Sequence, residues 1–306
     1  MKEKTIIYYR DKRAHNRYHY RFQWSAYLML LPAFVFVTIF VVAPLVMAVA
    51  RSFFDYATGV YNFPYNFRYI LQQALFTRAF FNVFWMSIVL IVIMMLTSFF
   101  YANCLNTLDN KLSRVARVVI FMPFFISGVV SGVMYSMIFN YRAGIITSIL
   151  FLMDKEPIAF ATDPKLCYIL IFIPSWWGGF GYQTLMMFAG IINIPKEYYE
   201  AASIDGANGF RKMFNITIPN MRNYFVLILV NLVTGYLQMF EIPQMMTGGG
   251  PLNLTHTPVL YLYNNFTSTG RPMNATIAGA LLIMVIVTVA NIFVFKVFKS
   301  EKSMDS

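Results

Sequence analysis

The chain alternates between long apolar runs and short polar connections. Six runs stand out, at roughly residues 24–49, 83–105, 115–139, 166–192, 224–246 and 277–298. Each reaches the length of about 20 apolar residues that a helix needs to cross a hydrocarbon core about 30 Å thick. Pro32, Pro44, Pro123, Pro174 and Pro243 lie within them, which a membrane bundle tolerates where neighbours satisfy the freed carbonyls. The pattern predicts an all-α, polytopic membrane helix bundle with six transmembrane helices. Residues 1–21 form a basic tail, and residues 22–306 read as one membrane domain.

Composition agrees with that pattern. The chain is 58% hydrophobic and 12% charged, about half the charged fraction of a soluble domain. Its net charge of +11 does not point to nucleic acid, because the basic residues are spread along the loops rather than gathered among stacking aromatics. Of the 24 Lys and Arg, 17 fall in the tail, in the second and fourth loops and at the C-terminus, among them Lys111, Arg114, Arg117, Lys196, Arg211, Lys212, Arg222, Lys296, Lys299 and Lys302; the other three loops hold 7. Positive charge accumulates on the cytoplasmic side, so both termini and the fourth loop are expected there. The first 21 residues hold seven Lys and Arg without an apolar core, which is not the pattern of a cleavable signal peptide. His15 and His19 in that tail lack further ligands and receive no function. Cys104 and Cys167, at or near the ends of runs, are expected to be buried and inert.

The fourth loop holds a polar island, Glu200-Ala201-Ala202-Ser203-Ile204-Asp205-Gly206, followed by Ile216-Thr217-Ile218-Pro219. Pro195 suits a first helical turn, with Glu197 and Glu200 near the positive end of the dipole. Gly206 and the Asn208-Gly209 pair are natural stops. A short, small-faced helix, acidic at one end, is therefore predicted. An ordinary amphipathic helix lying on the membrane surface would have the same local features.

The spacing of Glu200, Ala201, Ala202, Gly206, Ile216 and Pro219 resembles the EAA loop of the membrane subunits of ATP-binding-cassette importers, with Ile218 where that family usually has Leu. The resemblance implies a type I (MetI-like) permease fold. It also implies a cytoplasmic coupling loop over residues 194–220, with Glu200, Ala201, Ala202, Asp205, Gly206, Ile216 and Pro219 in contact with an ATPase subunit.

Two further stretches resemble the sugar-importer branch of that family, the MalF/UgpA/LplB-like subunits. Trp177, Gly179, Phe180 and Tyr182 match a sugar-lining segment, and Thr247-Gly248-Gly249-Gly250-Pro251 with Thr255, Thr257 and Tyr261 to Tyr263 matches a T-x-GGP…T…Y signature. Counting back from that signature places Tyr236 and Met239 at sugar-contact positions, with Gln238 beside them. Gly235 stands where the maltose importer has an aromatic contact, which implies a cargo other than maltose. From the residues themselves, three glycines among aromatics suit close helix packing as well as an opening. The rings of Tyr182 and its neighbours suit an interface belt as well as a sugar face. Glu241 is the one charged side chain in the interior of a run, where charge is costly and normally meets a water-filled path or a partner. The candidate path is thus Gly179, Tyr182, Tyr236, Gln238, Met239 and Glu241.

No G-x-x-x-x-G-K-[ST] and no G-x-G-x-x-G after a strand occurs in the chain, so it has no nucleotide site of its own by these motifs. The resemblance implies a permease subunit without its own ATPase or cofactor, working with two ATPase subunits that hold ATP and Mg, a second homologous permease subunit and an extracytoplasmic sugar-binding protein. Its expected place is the bacterial cell membrane and its cargo a carbohydrate, of oligosaccharide size. An ion-coupled secondary carrier built around Glu241 is the alternative. A membrane enzyme would need a nucleophile, acid pair or metal cluster, and neither HExxH nor GxSxG occurs. A phosphorylated cargo would call for cations in the path, and the interiors of the runs hold none.

Overall fold

The computed structural model describes residues 24–270 and 272–298. The basic tail with His15 and His19, and Lys299 and Lys302 at the other end, lie outside the described residues. The chain divides into two compact units after Arg51.

The first unit is one long apolar helix, α1 (Trp24–Val37), continuing through a π-helical turn (Thr38–Val42) into α2 (Ala43–Ser52). Pro44 explains the turn. Proline has no N–H to offer the carbonyl four residues back, and the backbone widens so that the Ala43 N–H reaches the Thr38 carbonyl instead. Among the described side chains none from Tyr27 to Arg51 is buried within the chain.

The second unit is a bundle. Its elements are α3 (Tyr65–Gln72), α4 (Ala74–Thr107), α5 (Asn110–Phe121), a 3₁₀ turn (Met122–Phe125), α6 (Gly128–Ile138), α7 (Ile145–Leu152) and α8 (Ile169–Ile192). Then come α9 (Lys196–Ile204), α10 (Gly209–Lys212), a π turn (Met213–Thr217), α11 (Ile218–Asn220), α12 (Arg222–Leu237), α13 (Glu241–Met246), α14 (Pro258–Thr267) and α15 (Met273–Phe298).

Four helical stretches among the described residues are long and apolar enough to cross a membrane: Tyr27–Ser52, Ala74–Thr107, Arg222–Met246 and Met273–Phe298. The expected third span, 115–139, is not one helix. It is a pair, α5 with its 3₁₀ turn and then α6, bent by 95°. Pro123 lies in that turn, and the chain extends at Ile126 before Ser127 caps α6 by accepting the Val130 N–H. The second span begins earlier than its apolar run: α4 has 34 residues, roughly 51 Å at 1.5 Å per residue.

The expected fourth span, α8, is 24 residues long, but glycines, Ser175, Gln183 and Thr184 dilute its middle. Those residues are buried or half-buried within the bundle. Helix α8 makes its most extensive contact with α4 and also touches α5, α6, α12 and α13. A core of Met94, Leu105, Phe180, Met187, Ile191, Met221 and Ile228 lies along it. Gly181 is essential to this packing, because a Cβ there would overlap the Ile120 carbonyl of α5. Small residues at helix crossings allow such backbone approach in membranes. Trp176 is placed by its Nε1–H donating to Thr97 Oγ1 at 3.0 Å. On the outer surface of the bundle Phe81, Leu96 and Phe293 are more than 60% exposed, as expected of side chains that meet lipid tails. Cys167 is buried as expected, whereas Cys104 is only half-buried.

Candidate functional site

The fifth span breaks in its middle, and the break makes room. Helix α12 ends at Leu237 and α13 starts at Glu241. The freed Tyr236 carbonyl is taken by the Met239 N–H at 3.2 Å. The Met239 carbonyl would ordinarily accept from residue 243, but that residue is Pro243 and has no N–H. The hydroxyl of Thr257, distant in sequence, donates to it instead at 2.9 Å. Beside the break lies a cavity of about 740 Å³ between α8, α12, α13 and the 3₁₀ turn.

All six residues of the candidate path line this one cavity: Gly179, Tyr182, Tyr236, Gln238, Met239 and Glu241. Phe124, Gln183, Asn231 and Gly235 are among the further residues that face it. Phe124 stacks on Tyr182 with centroids 4.9 Å apart and ring planes within 13°. Gln183 donates to Asn231 Oδ1 at 3.1 Å, joining α8 to α12 with an amide pair. Two amides in apolar runs are a signal that sequence reading can use, since buried polar groups in membranes seek partners or a path. Phe124 carries no such signal, because it is one of several apolar aromatic side chains in its run.

The glycine-rich segment after α13 is a scaffold for the break. The Thr247 and Thr255 hydroxyls lie 2.6 Å apart, and Thr255 donates to the Gly250 carbonyl at 2.7 Å. Gly248 and Gly249 have φ of +60° and +91°, a region open to glycine. A Cβ at Gly249 would also strike the His256 ring. Thr255, His256 and Thr257 are buried, and Thr257 caps α14 by accepting the Leu260 N–H. Asn82 of α4 clamps the segment from the other side, donating to the Asn253 and His256 carbonyls at 2.7 and 3.1 Å. Burial holds the His256 imidazole below its ordinary pKa. Of the signature residues expected from the sequence, Thr257 reaches the Met239 carbonyl, while Thr247, Gly250 and Thr255 are tied to one another.

The fourth loop folds as a short helix with a sharp stop. Helix α9 ends in a motif that satisfies its last carbonyls twice: Ala207 N–H reaches the Ala202 carbonyl at 2.8 Å and Gly206 N–H the Ser203 carbonyl at 3.1 Å. Gly206 adopts φ +73° to allow it. Asn208 caps α10 by accepting the Arg211 N–H. Tyr199 Oη and Thr217 Oγ1, 2.9 Å apart, tie α9 to the returning chain. Glu200, Ala201, Asp205, Gly206 and Pro219 are exposed and Ala202 is half-buried. Ile216 differs from that set, since it packs against the core around α8. Near the C-terminal stop of α9 lie exposed apolar side chains. Ile204 is 87% exposed and Phe210 74%.

A family model for the binding-protein-dependent transport system inner membrane component matches residues 102–300. The chain belongs to that family. The match includes the 95° bend from Pro123 onward, helix α8, the fourth loop and the cavity. Among curated relatives, the chain is 29% identical to a sulfoquinovosyl glycerol transport system permease protein of Agrobacterium fabrum, over 79% of this chain and 80% of that one. It is 26% identical to a trehalose/maltose transport system permease protein of Thermococcus litoralis, over 90% and 95%. It is 25% identical to an sn-glycerol-3-phosphate transport system permease protein of Salmonella typhimurium, over 92% and 96%. The fold is shared with a solved bacterial ABC transporter involved in the import of the acidic polysaccharide alginate. There the TM-score is 0.80 at 20% identity, over 90% of this chain and 95% of that one. This inner membrane component is therefore a transport subunit.

Proposed function

We propose that this inner membrane component is the permease subunit of an ATP-driven importer whose cargo is a carbohydrate of oligosaccharide size. The observation that carries the reading is the convergence of Tyr182, Tyr236, Gln238 and the Gln183–Asn231 pair on one cavity of about 740 Å³. That volume falls in the usual range for ligand sites. Amides and phenols donate to and accept from hydroxyls, and aromatic faces suit the apolar side of a sugar ring. The sugars in the names of several relatives support the same class.

In this reading the fourth loop lies in the cytoplasm, on the side indicated by the Lys and Arg excess. Helix α9 is the lever. Its rigid C-terminal stop and its tie to Thr217 transmit force, while Glu200, Asp205 and the exposed Ile204 and Phe210 offer a mixed acidic and apolar face to an ATPase subunit. Ala201 and Ala202 let that partner approach the backbone. Ile216 anchors the loop to the bundle. ATP and Mg belong to the ATPase pair, an extracytoplasmic binding protein delivers the sugar, and a second homologous permease subunit completes the path. Closure of the ATPases on ATP would draw the coupling loops together and alternate access to the cavity.

Affinity purification of the tagged chain from its native membrane, with mass spectrometry of the accompanying polypeptides, tests this. Recovery of an ATPase and a second EAA-bearing subunit is expected. Recovery of the chain alone in high yield from mild detergent would contradict the assembly and favour ion-coupled transport through Glu241.

A further inference from the structure

The cavity beside the broken helix carries a single formal charge. Glu241 is its one carboxylate, and no Lys, Arg or His is among the residues that line it. The carboxylate has a fixed seat. Gly128, the first residue of the 11-residue helix α6, lies directly beneath it, and a Cβ at that position would overlap a Glu241 carboxyl oxygen. The negative group thus rests at the positive end of the α6 dipole, held at the cavity wall. The other polar groups there are uncharged: Ser175, the Gln183–Asn231 amide pair, Gln238 and the two tyrosines. These groups can serve hydroxyls in either hydrogen-bonding role. A fixed charge in a site poorer in water than bulk solvent repels an anion at close range much more than it would in water.

We propose that this cavity admits uncharged polyhydroxylated cargo and rejects anionic sugars, with Glu241 as the determinant of that choice. The inference rests on reading the cavity as the cargo path. It assigns Glu241 to selection by charge, with no proton or ion carried by it.

The test uses the complete transporter with its binding protein in proteoliposomes loaded with ATP. They are offered neutral gluco- and galacto-oligosaccharides together with uronate-containing oligosaccharides of equal length, and the lumenal sugars are identified by mass spectrometry. Wild type is expected to import neutral chains at least about tenfold faster than uronates. Two variants share the wild-type binding protein, so a change in their uronate-to-neutral ratio reports the membrane cavity alone. Glu241→Gln removes the charge, and Gln238→Lys adds a cation without disturbing the Gly128 contact. Each is expected to raise the ratio by about fivefold or more. Import of uronates by wild type at the neutral rate would overturn the proposal, as would an unchanged ratio in both variants. Import of neither class while ATP turns over would remove the sugar reading itself, and this inference with it.

Discussion

Thr257→Val tests the idea that a distant hydroxyl maintains the break in the fifth span. Thr257 is fully buried and holds two positions at once. It donates to the Met239 carbonyl at 2.9 Å and accepts the Leu260 N–H at 3.3 Å. Valine keeps the branched shape but neither bond. Leaving a buried carbonyl without a donor costs about 1–3 kcal/mol, and losing an N-cap costs about 1 kcal/mol. The sum is about 2–4 kcal/mol. In a chain of this size that lowers a melting midpoint by roughly 3–6 °C. The assay is fluorescence-monitored heating of the protein purified in mild detergent, paired with uptake in cells. Thr257→Ser, which retains the hydroxyl, is expected to recover most of both. A Thr257→Val protein that melts within about 1 °C of wild type and imports normally would refute the argument, because the Met239 carbonyl would then have no need of that donor.

Three further outcomes follow from the loops. Glu200→Arg reverses charge on the exposed face of α9 and is expected to abolish uptake with membrane levels unchanged; normal uptake would sink the coupling assignment. Gly206→Ala forces a side chain into φ +73°, costing about 1–2 kcal/mol, and is expected to speed hydrogen exchange of the Gly206 and Ala207 amides. His256 gives a pH dependence. Its folded pKa lies below the ordinary value of 6.5 because burial disfavours the cation, so the unfolded chain takes up the proton first. Stability should be full above pH 6.5 and fall as pH drops through the folded value. Thermal midpoints between pH 8 and 5, with His256→Asn as the flattened control, measure it.

The spans were readable because hydrocarbon thickness imposes a length that composition reveals, and the break points were not. Pro123 and Pro243 are visible in the sequence, yet a proline within a run is compatible with a straight, bent or broken helix. What decides the outcome at Pro243 is Thr257, a donor fourteen residues away across a turn. The same holds for α8: the sequence marks it as a span but does not display the five helices that surround its polar middle. The path residues were accessible through family resemblance and through one rule, that charge or amide in an apolar run must face something. Applied to Glu241 that rule led to the cavity wall, and applied to Gln183 and Asn231 it would have added the amide pair. Ile216 shows the opposite limit, since its place in a motif did not reveal that it points inward to the core.

The central claim is that cargo passes through the cavity beside the broken helix. Gly235 lines that cavity, and nothing lies within 4 Å of where its Cβ would be, so a Gly235→Cys thiol fits there without displacing a neighbour. In a background with Cys104 and Cys167 replaced by serine, that thiol is labelled with a bulky maleimide and ATP-dependent uptake is measured in proteoliposomes. Uptake should fall to background in proportion to labelling, and cargo should slow the labelling. Full labelling with wild-type uptake would mean that the cargo takes another route.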